Sequence, residues 1–442
     1  MTERTPRVAV IGSGISGLAA AHALARDAQV TLFEAGTYFG GHTHTVDITL
    51  DGQTHGVDTG FLVYNERTYP KLMALFDELQ VPTAPSDMSF SVQVPAVGLE
   101  WSGSNLNAVF AQRRNLIRPA FWRMLREVLR FNRLATGLAE RGTASQQLQP
   151  IVEFLDEHRF GVEFRDWYFL PMIGCIWSCP TDQMLRFPMA TMIRFCHNHG
   201  LIQIMNRPRW FTVAGGARQY VDKLLRGIPD ARLNTPVRSV RRLRATGQVS
   251  VGTDAGTETF DAAVLACHSD QSLALLANDA TPTEREVLGA IRYHRNRAVL
   301  HTDTCVLPQR QTAWAAWNYE HAAAGAAESA AVCLHYLINR LQPLPFKAPV
   351  IVSLNPLSQP GREPRAHTVH GEYDYAHPVF DAAAIAAQQR VPALQGEANT
   401  WFCGAWTRYG FHEDGLASGL AVADMLRKRW ADTAAHAQPV AA

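Results

Sequence analysis

The sequence predicts an α/β fold with room for two domains, on three observations. An apolar run, Val8-Ala9-Val10-Ile11, meets the turn Gly12-Ser13-Gly14-Ile15-Ser16-Gly17 and then an alanine-rich helical run from Leu18 to Arg26. A second apolar run, Val30-Thr31-Leu32-Phe33, ends on Glu34. Near the other end another glycine-rich stretch, from Gly404 to Gly419, leads into a helical run through Leu426. The chain has 442 residues, 47% of them hydrophobic, enough for two cores.

Strand, glycine turn, helix, strand and acid is the order of a Rossmann-like, pyrophosphate-binding βαβ unit. Gly12 allows the sharp turn out of the first strand. Gly14, without a side chain, lets backbone N–H groups approach phosphate oxygens. Ser16 stands in the same turn, and Gly17 allows helix and strand to pack closely. The helix N-terminus offers unpaired N–H groups and a partial positive charge to the pyrophosphate. Glu34 sits where a carboxylate accepts hydrogen bonds from both hydroxyls of an adenosine ribose.

The residues after Glu34 separate FAD from NAD. The stretch Glu34-Ala35-Gly36-Thr37-Tyr38-Phe39-Gly40-Gly41-His42 resembles the N-terminal signature of the flavin-containing amine oxidase and phytoene desaturase superfamily. His42 stands where that signature usually has arginine. The resemblance implies that Gly40 and Gly41 let the backbone pass close to the flavin. It also sets Val57-Asp58-Thr59-Gly60-Phe61 beside the isoalloxazine ring, with Thr59 and Gly60 as contacts. The closing stretch, Gly404-Ala405-Trp406 and Gly410-Phe411-His412-Glu413-Asp414-Gly415, looks like the superfamily's C-terminal flavin motif. It implies contacts from Gly404, His412, Glu413, Asp414 and Gly415. A middle block, Val213 to Cys267, resembles the return of the chain to the cofactor domain, with Val237 bonding the adenine through its backbone.

The expected architecture is therefore a discontinuous, GR2-type FAD-binding domain (residues 1–68, 206–275 and 396–430) carrying an inserted α+β substrate domain (69–205 and 276–395). A frayed tail is expected over 431–442. Tyr69-Pro70 opens a helix with Leu72, Leu75, Phe76 and Leu79 at helical spacing, 85–101 alternates as strands, and Arg297–Leu300, Ala331–Leu337 and Val350–Ser353 read as further strands.

Three departures from the superfamily bear on chemistry. Trp406 replaces an acid, Phe411 replaces a tyrosine, and the Tyr293–Leu300 stretch offers Asn296 and Arg297 where a lysine near flavin N5 is expected. They favour an apolar C–H substrate over a simple amine. Tyr409 and His412 are the candidate catalytic side chains. Trp406, Phe411 and Tyr336 are candidates for the substrate pocket, with Trp314, Trp317, Tyr319 and His335 on strands that could roof the flavin. His42 and His44 are candidate points of covalent flavin attachment.

The resemblance reaches a bacterial group of NAD/FAD-binding proteins associated with modification of membrane fatty acyl chains. The leading expectation is an FAD-dependent oxidoreductase that removes hydride from, or isomerises, a lipid-like acyl substrate. An amine oxidase releasing an imine and hydrogen peroxide, and a non-catalytic flavoprotein, stay open beside it.

Net charge of +1 and the absence of any recognisable motif set nucleic acid aside as a partner. Seven scattered cysteines argue for a reducing compartment. Cys175 with Cys179, and Cys196 with His197 and His199, lack four-ligand spacing, so no metal is expected. The start lacks a signal-peptide pattern and no apolar run is long enough to span a membrane, so a cytoplasmic location is expected. One helix, Pro119 to Thr136, sets Phe121, Met124, Leu125, Val128 and Phe131 against a face of Arg123, Arg126, Arg130 and Arg133. Between Arg113 and Arg133 stand seven arginines against one glutamate. That face is a solvated surface or a contact with the inner membrane surface. No motif encodes an oligomeric state.

Overall fold

The computed structural model describes residues 4–141, 149–177, 180–202, 207–321 and 332–437. Its central element is a five-stranded parallel sheet. The strands run, from edge to edge, Asp230–Arg232, Gln29–Phe33, Arg7–Ile11, Ala262–Leu265 and Thr400–Phe402. They come from the three stretches that the sequence motifs mark. Alternation along each strand feeds two cores: Val8, Val10 and Val264 pack on one side, and Ala9, Ile11 and Leu265 on the other. A sheet buried on both faces explains why these strands read as unbroken apolar runs.

The helix Ile15–Leu24 packs against one face and against the long closing helix His412–Ala437. Contact with the sheet is close because Gly17 is bare, a Cβ there overlapping the Gly12 carbonyl oxygen, and contact between the helices is close because a Cβ on Gly419 would overlap the Ser16 carbonyl oxygen. Of the tail expected over 431–442, residues 431–437 continue the closing helix, in keeping with the high helix propensity of its alanines, and 438–442 lie outside the described residues. An antiparallel meander, Val237–Leu243, Gln248–Thr253 and Gly256–Phe260, covers the other face. There Arg242 and Glu284 form a salt bridge with both side chains buried.

Beside two smaller sheets, one of two strands and one of three, the chain builds a seven-stranded mixed sheet. Its order is Val369–Val379, Arg292–His301, Ile351–Leu354, Cys333–Leu337, Trp317–Glu320, Phe90–Val94 and Leu99–Ser102. Helices Leu170–Trp177, Met189–Asn198 and Pro119–Arg141 contribute to its hydrophobic core. The last of these buries Phe121, Met124 and Phe131, the apolar face read from sequence. Among the described residues no helix is long and apolar enough to cross a membrane.

Candidate active site

The carboxyl ends of the parallel strands open into a cavity of about 760 Å³, within the roughly 300–1,000 Å³ usual for small-molecule sites. Gly12, Glu34, Ala266 and Gly404, each just past a strand end, line it. Such a crevice at strand ends is where open α/β sheets bind ligands.

One end is the glycine turn. Gly14 caps the Ile15–Leu24 helix with extended backbone (φ −61°, ψ 171°) and no side-chain cap. The first N–H groups of that helix therefore receive no acceptor from the cap. A Cβ on Gly14 would meet nothing within 4 Å. Glu34 is already engaged: Oε2 accepts from the Ser13 N–H at 2.9 Å and its hydroxyl at 2.5 Å, and Oε1 accepts from the Gly36 N–H at 2.7 Å. Of four lone-pair sites one remains, on Oε1. That is room for one further donor, not the two hydroxyls expected from sequence. Ser16, Gly40, Gly41, Gly60 and Val237 line the same cavity.

Further along, His412 stacks on Phe61 with ring centroids 3.8 Å apart. Its Nε2 meets the Tyr220 hydroxyl at 2.5 Å, and that hydroxyl also bonds Thr43. His42 lines the cavity with its Nε2 buried and without a partner. Burial lowers His42 and His268 to about 4 and His412 to about 3, with the neighbouring His42 adding to the shift at His412. All three rings are thus neutral near pH 7. Asn296 donates to His377 Nδ1 at 2.7 Å and accepts from Asn355 at 2.7 Å. His377, not a lysine, is what this part of the mixed sheet presents to the cavity.

The far end is apolar and aromatic. Met172, Ile176, Trp177 and Phe195 form its helical wall, and Trp317 and Tyr336, edge to face at 4.8 Å, lie opposite on strands. Tyr409 and Phe411 line it too, with Phe411 stacked 4.4 Å from Phe195. The helical wall carries no motif; helix-spaced apolar residues read only as core.

Several residues singled out from sequence lie elsewhere. Thr59 bonds the His44 carbonyl and, at 2.7 Å, the Tyr375 hydroxyl. His44 is held by Tyr375 at 2.9 Å and stacks on Tyr38. Glu413 accepts from the N–H groups of Lys71 and Leu72, both at 2.9 Å, and so caps the Pro70–Glu78 helix. Asp414 accepts from the Phe411 N–H at 3.0 Å, and burial raises its carboxyl to about 6. Gly415 admits Ile15 between two helices, since a Cβ would stand 2.8 Å from its Cγ2. Trp406 lines the cavity only from within the core, its indole N–H donating to the Cys267 carbonyl. Trp314 packs against a separate small core, and Tyr319 is buried off the cavity. Cys179 lies outside the described residues.

His335 points to the opposite face of its sheet. There it meets Glu320 at 3.2 Å, Cys333 at 3.4 Å and Ser353 at 2.7 Å. Glu320, Cys333 and His335 are metal-ligand types within 4.8 Å of one another. Glu320, however, is neutralised by Arg362 at 2.5 Å, and burial keeps His335 neutral. A dication beside that guanidinium would leave uncompensated buried charge.

The open cradle at Gly14, the uncapped helix N-terminus and the unpartnered His42 nitrogen fit a long dinucleotide with a polar ring system at its far end. The comparisons agree. The chain is 29% identical over 297 residues to carotenoid phi-ring synthase of Streptomyces griseus, a match covering 62% of this chain and 55% of that protein. The chain thus matches about half the length of that relative. The fold is shared with a CLA-producing fatty acid isomerase of P. acnes (TM-score 0.64, 14% identity, 96% of this chain and 98% of that one). It is shared equally with cyclohexylamine oxidase of Brevibacterium oxydans (TM-score 0.64, 15% identity, 97% and 100%). The family model of flavin containing amine oxidoreductases matches residues 15–319, well over half the chain, and the chain belongs to that family.

Proposed function

We propose that this flavoprotein oxidises, or isomerises through an oxidised stage, an apolar acyl chain. The observation that carries the reading is the charge distribution of the cavity. Its only described lining residues with formal charge are Glu34 and Arg238, which stand with the glycine turn and Val237, away from the aromatic end. An ammonium buried at that end would have no carboxylate. Its desolvation costs several kcal/mol, of which a ring face returns about 2 kcal/mol. A hydrocarbon chain meets no such penalty. The names of the carotenoid synthase and the fatty acid isomerase support the same substrate class.

In this reading Gly12, Gly14, Ser16 and Gly17 form the pyrophosphate turn, Glu34 holds one ribose hydroxyl and Val237 borders the adenine. Gly40, Gly41, His42, Gly60, Gly404 and His412 surround the ring system. Bound FAD supplies a two-electron acceptor for a substrate C–H bond. Trp317, Tyr336, Tyr409 and Phe411 orient the chain and exclude water. His412, held by Tyr220 and stacked on Phe61, stays a neutral imidazole of low basicity, so its role is to position the ring system rather than to take the proton that leaves with the hydride. The protein is cytoplasmic in this reading, and the basic face of the Pro119–Arg141 helix meets the inner membrane surface where such chains reside.

The aromatic lining favours one second reading, an amine oxidase that holds its substrate by ring faces. Anaerobic mixing separates the two. Detergent-dispersed unsaturated phospholipid or fatty acid is expected to bleach the flavin and a polyamine is not; the reverse outcome overturns the proposal.

A further inference from the structure

Among the described residues eight large hydrophobic side chains are exposed, and seven of them fall between Val97 and Val162. Ile117 is 85% exposed, Leu106 78% and Val162 62%. Contacts tie the segments that carry them into one surface. The Trp122 indole donates to the Leu116 carbonyl at 2.9 Å, Arg114 bonds the Gly98 carbonyl, and Arg123 pairs with Glu163 beside Val162. On the Pro119–Arg141 helix, Trp122, Arg126, Leu129 and Arg133 recur at steps of four, three and four, on one exposed strip.

The charge on this surface is one-sided. Arg113, Arg114, Arg123, Arg126, Arg130 and Arg133 are exposed and Arg118 is half-buried. Among the described residues only Arg123 of these seven forms a salt bridge. The single intervening acid, Glu127, is occupied by the Gly161 N–H. Scattered exposed hydrophobics need no explanation, but a cluster of them does. Apolar tips interleaved with arginine match the acyl boundary and phosphate layer of an anionic bilayer.

We propose that this composite surface docks the protein on an anionic lipid bilayer. Leu106, Ile117 and Val162 enter the acyl boundary, and Arg126, Arg130 and Arg133 meet the headgroup phosphates. The proposal adds apolar insertion to the charge contact and rests on the acyl-substrate reading for its purpose.

The test is sedimentation of FAD-loaded protein with vesicles of phosphatidylcholine alone or with about 30 mol % phosphatidylglycerol. Wild type is expected on the anionic vesicles and not on the neutral ones. Leu106→Asp with Ile117→Asp, and separately Arg126→Glu with Arg133→Glu, are each expected to weaken binding at least about tenfold, with flavin content and Tm unchanged. Wild type remaining in the supernatant, or the double Asp variant sedimenting as wild type does, overturns the proposal. So does a lipid-free dimer that the Asp variant abolishes. Vesicle binding by a protein whose flavin no acyl chain bleaches would sink the substrate reading and leave docking standing. Bleaching by detergent-dispersed chains without vesicle binding would do the opposite.

Discussion

Replacing Gly14 with valine separates cofactor retention from folding. Its backbone (φ −61°, ψ 171°) is open to any L-residue, and a Cβ would meet no atom within 4 Å. The fold therefore loses only the difference between glycine and valine at a helix N-cap, about 1 kcal/mol. In the proposed holoprotein that empty space is where the pyrophosphate would approach the helix. Losing two charge-assisted N–H contacts, at about 1.5–3 kcal/mol each, removes about 3–6 kcal/mol, roughly 10²–10⁴-fold in affinity. Purified Gly14→Val is expected to be colourless, monodisperse and only slightly lower in apoprotein Tm. Gly17→Ala is the contrast: its Cβ would collide with the Gly12 carbonyl oxygen, so it is expected to reduce folded yield itself. A Gly14→Val protein with one FAD per chain would refute the assignment of this turn to the pyrophosphate.

Three other outcomes are expected from the contacts. Glu413→Ala leaves the N–H groups of Lys71 and Leu72 unpaired at a helix whose own cap residue, Tyr69, provides no side-chain bond. A loss of about 1–2 kcal/mol in thermal melts is expected, and FAD loss without a melting change would instead make Glu413 a cofactor ligand. Glu284→Ala strands the buried Arg242 and is expected to cost about 3–5 kcal/mol in denaturant unfolding; a change under about 1 kcal/mol would contradict burial of that pair. The third is pH dependence. The unfolded chain protonates its histidines below about 6.5, whereas folded His42 and His268 wait until about 4 and His412 until about 3. The unfolded state thus binds more protons between about pH 6.5 and 4, so stability falls as pH falls through that window, by up to about 1.4 kcal/mol per pH unit for each histidine. An NMR titration in which these three rings protonate near about pH 6.5 in the folded apoprotein would show them to be solvated.

Local geometry explains which parts of the site were legible. Glycine turns have conformational and steric requirements that few other residues meet, and an acid after a strand has a fixed reach, so Gly12, Gly14 and Glu34 could be found by pattern. Glu413 could not be separated from its motif neighbours, because the N–H groups it accepts from lie 342 and 341 residues away. The second donor acting on Glu34, the Ser13 hydroxyl, was equally invisible. Met172, Ile176 and Phe195 show only helical apolar spacing, which a core and a cavity wall share. His377 sits in a strand with no motif, and only its pairing with Asn296 draws attention to it.

Strand register decides whether this cavity is apolar or charged. Trp317 pairs with Tyr336 and Asn318 with His335 on adjacent antiparallel strands. Trp317 and Tyr336 thus face the cavity, while the next pair faces away. The outward face collects Glu320, His335 and Ser353, all buried, with the half-buried Arg362 in one network. A slip of one residue would exchange the two faces and put a carboxylate and an imidazole where the aromatic roof stands. The network resists such a slip, because Glu320 would lose Arg362 and His335 would lose Ser353, and unpaired buried polar groups cost about 1–3 kcal/mol each. Charge sequestered behind the sheet is therefore part of how the cavity remains suited to a hydrocarbon chain. The aromatic roof and the Glu320–His335 network are two consequences of one register.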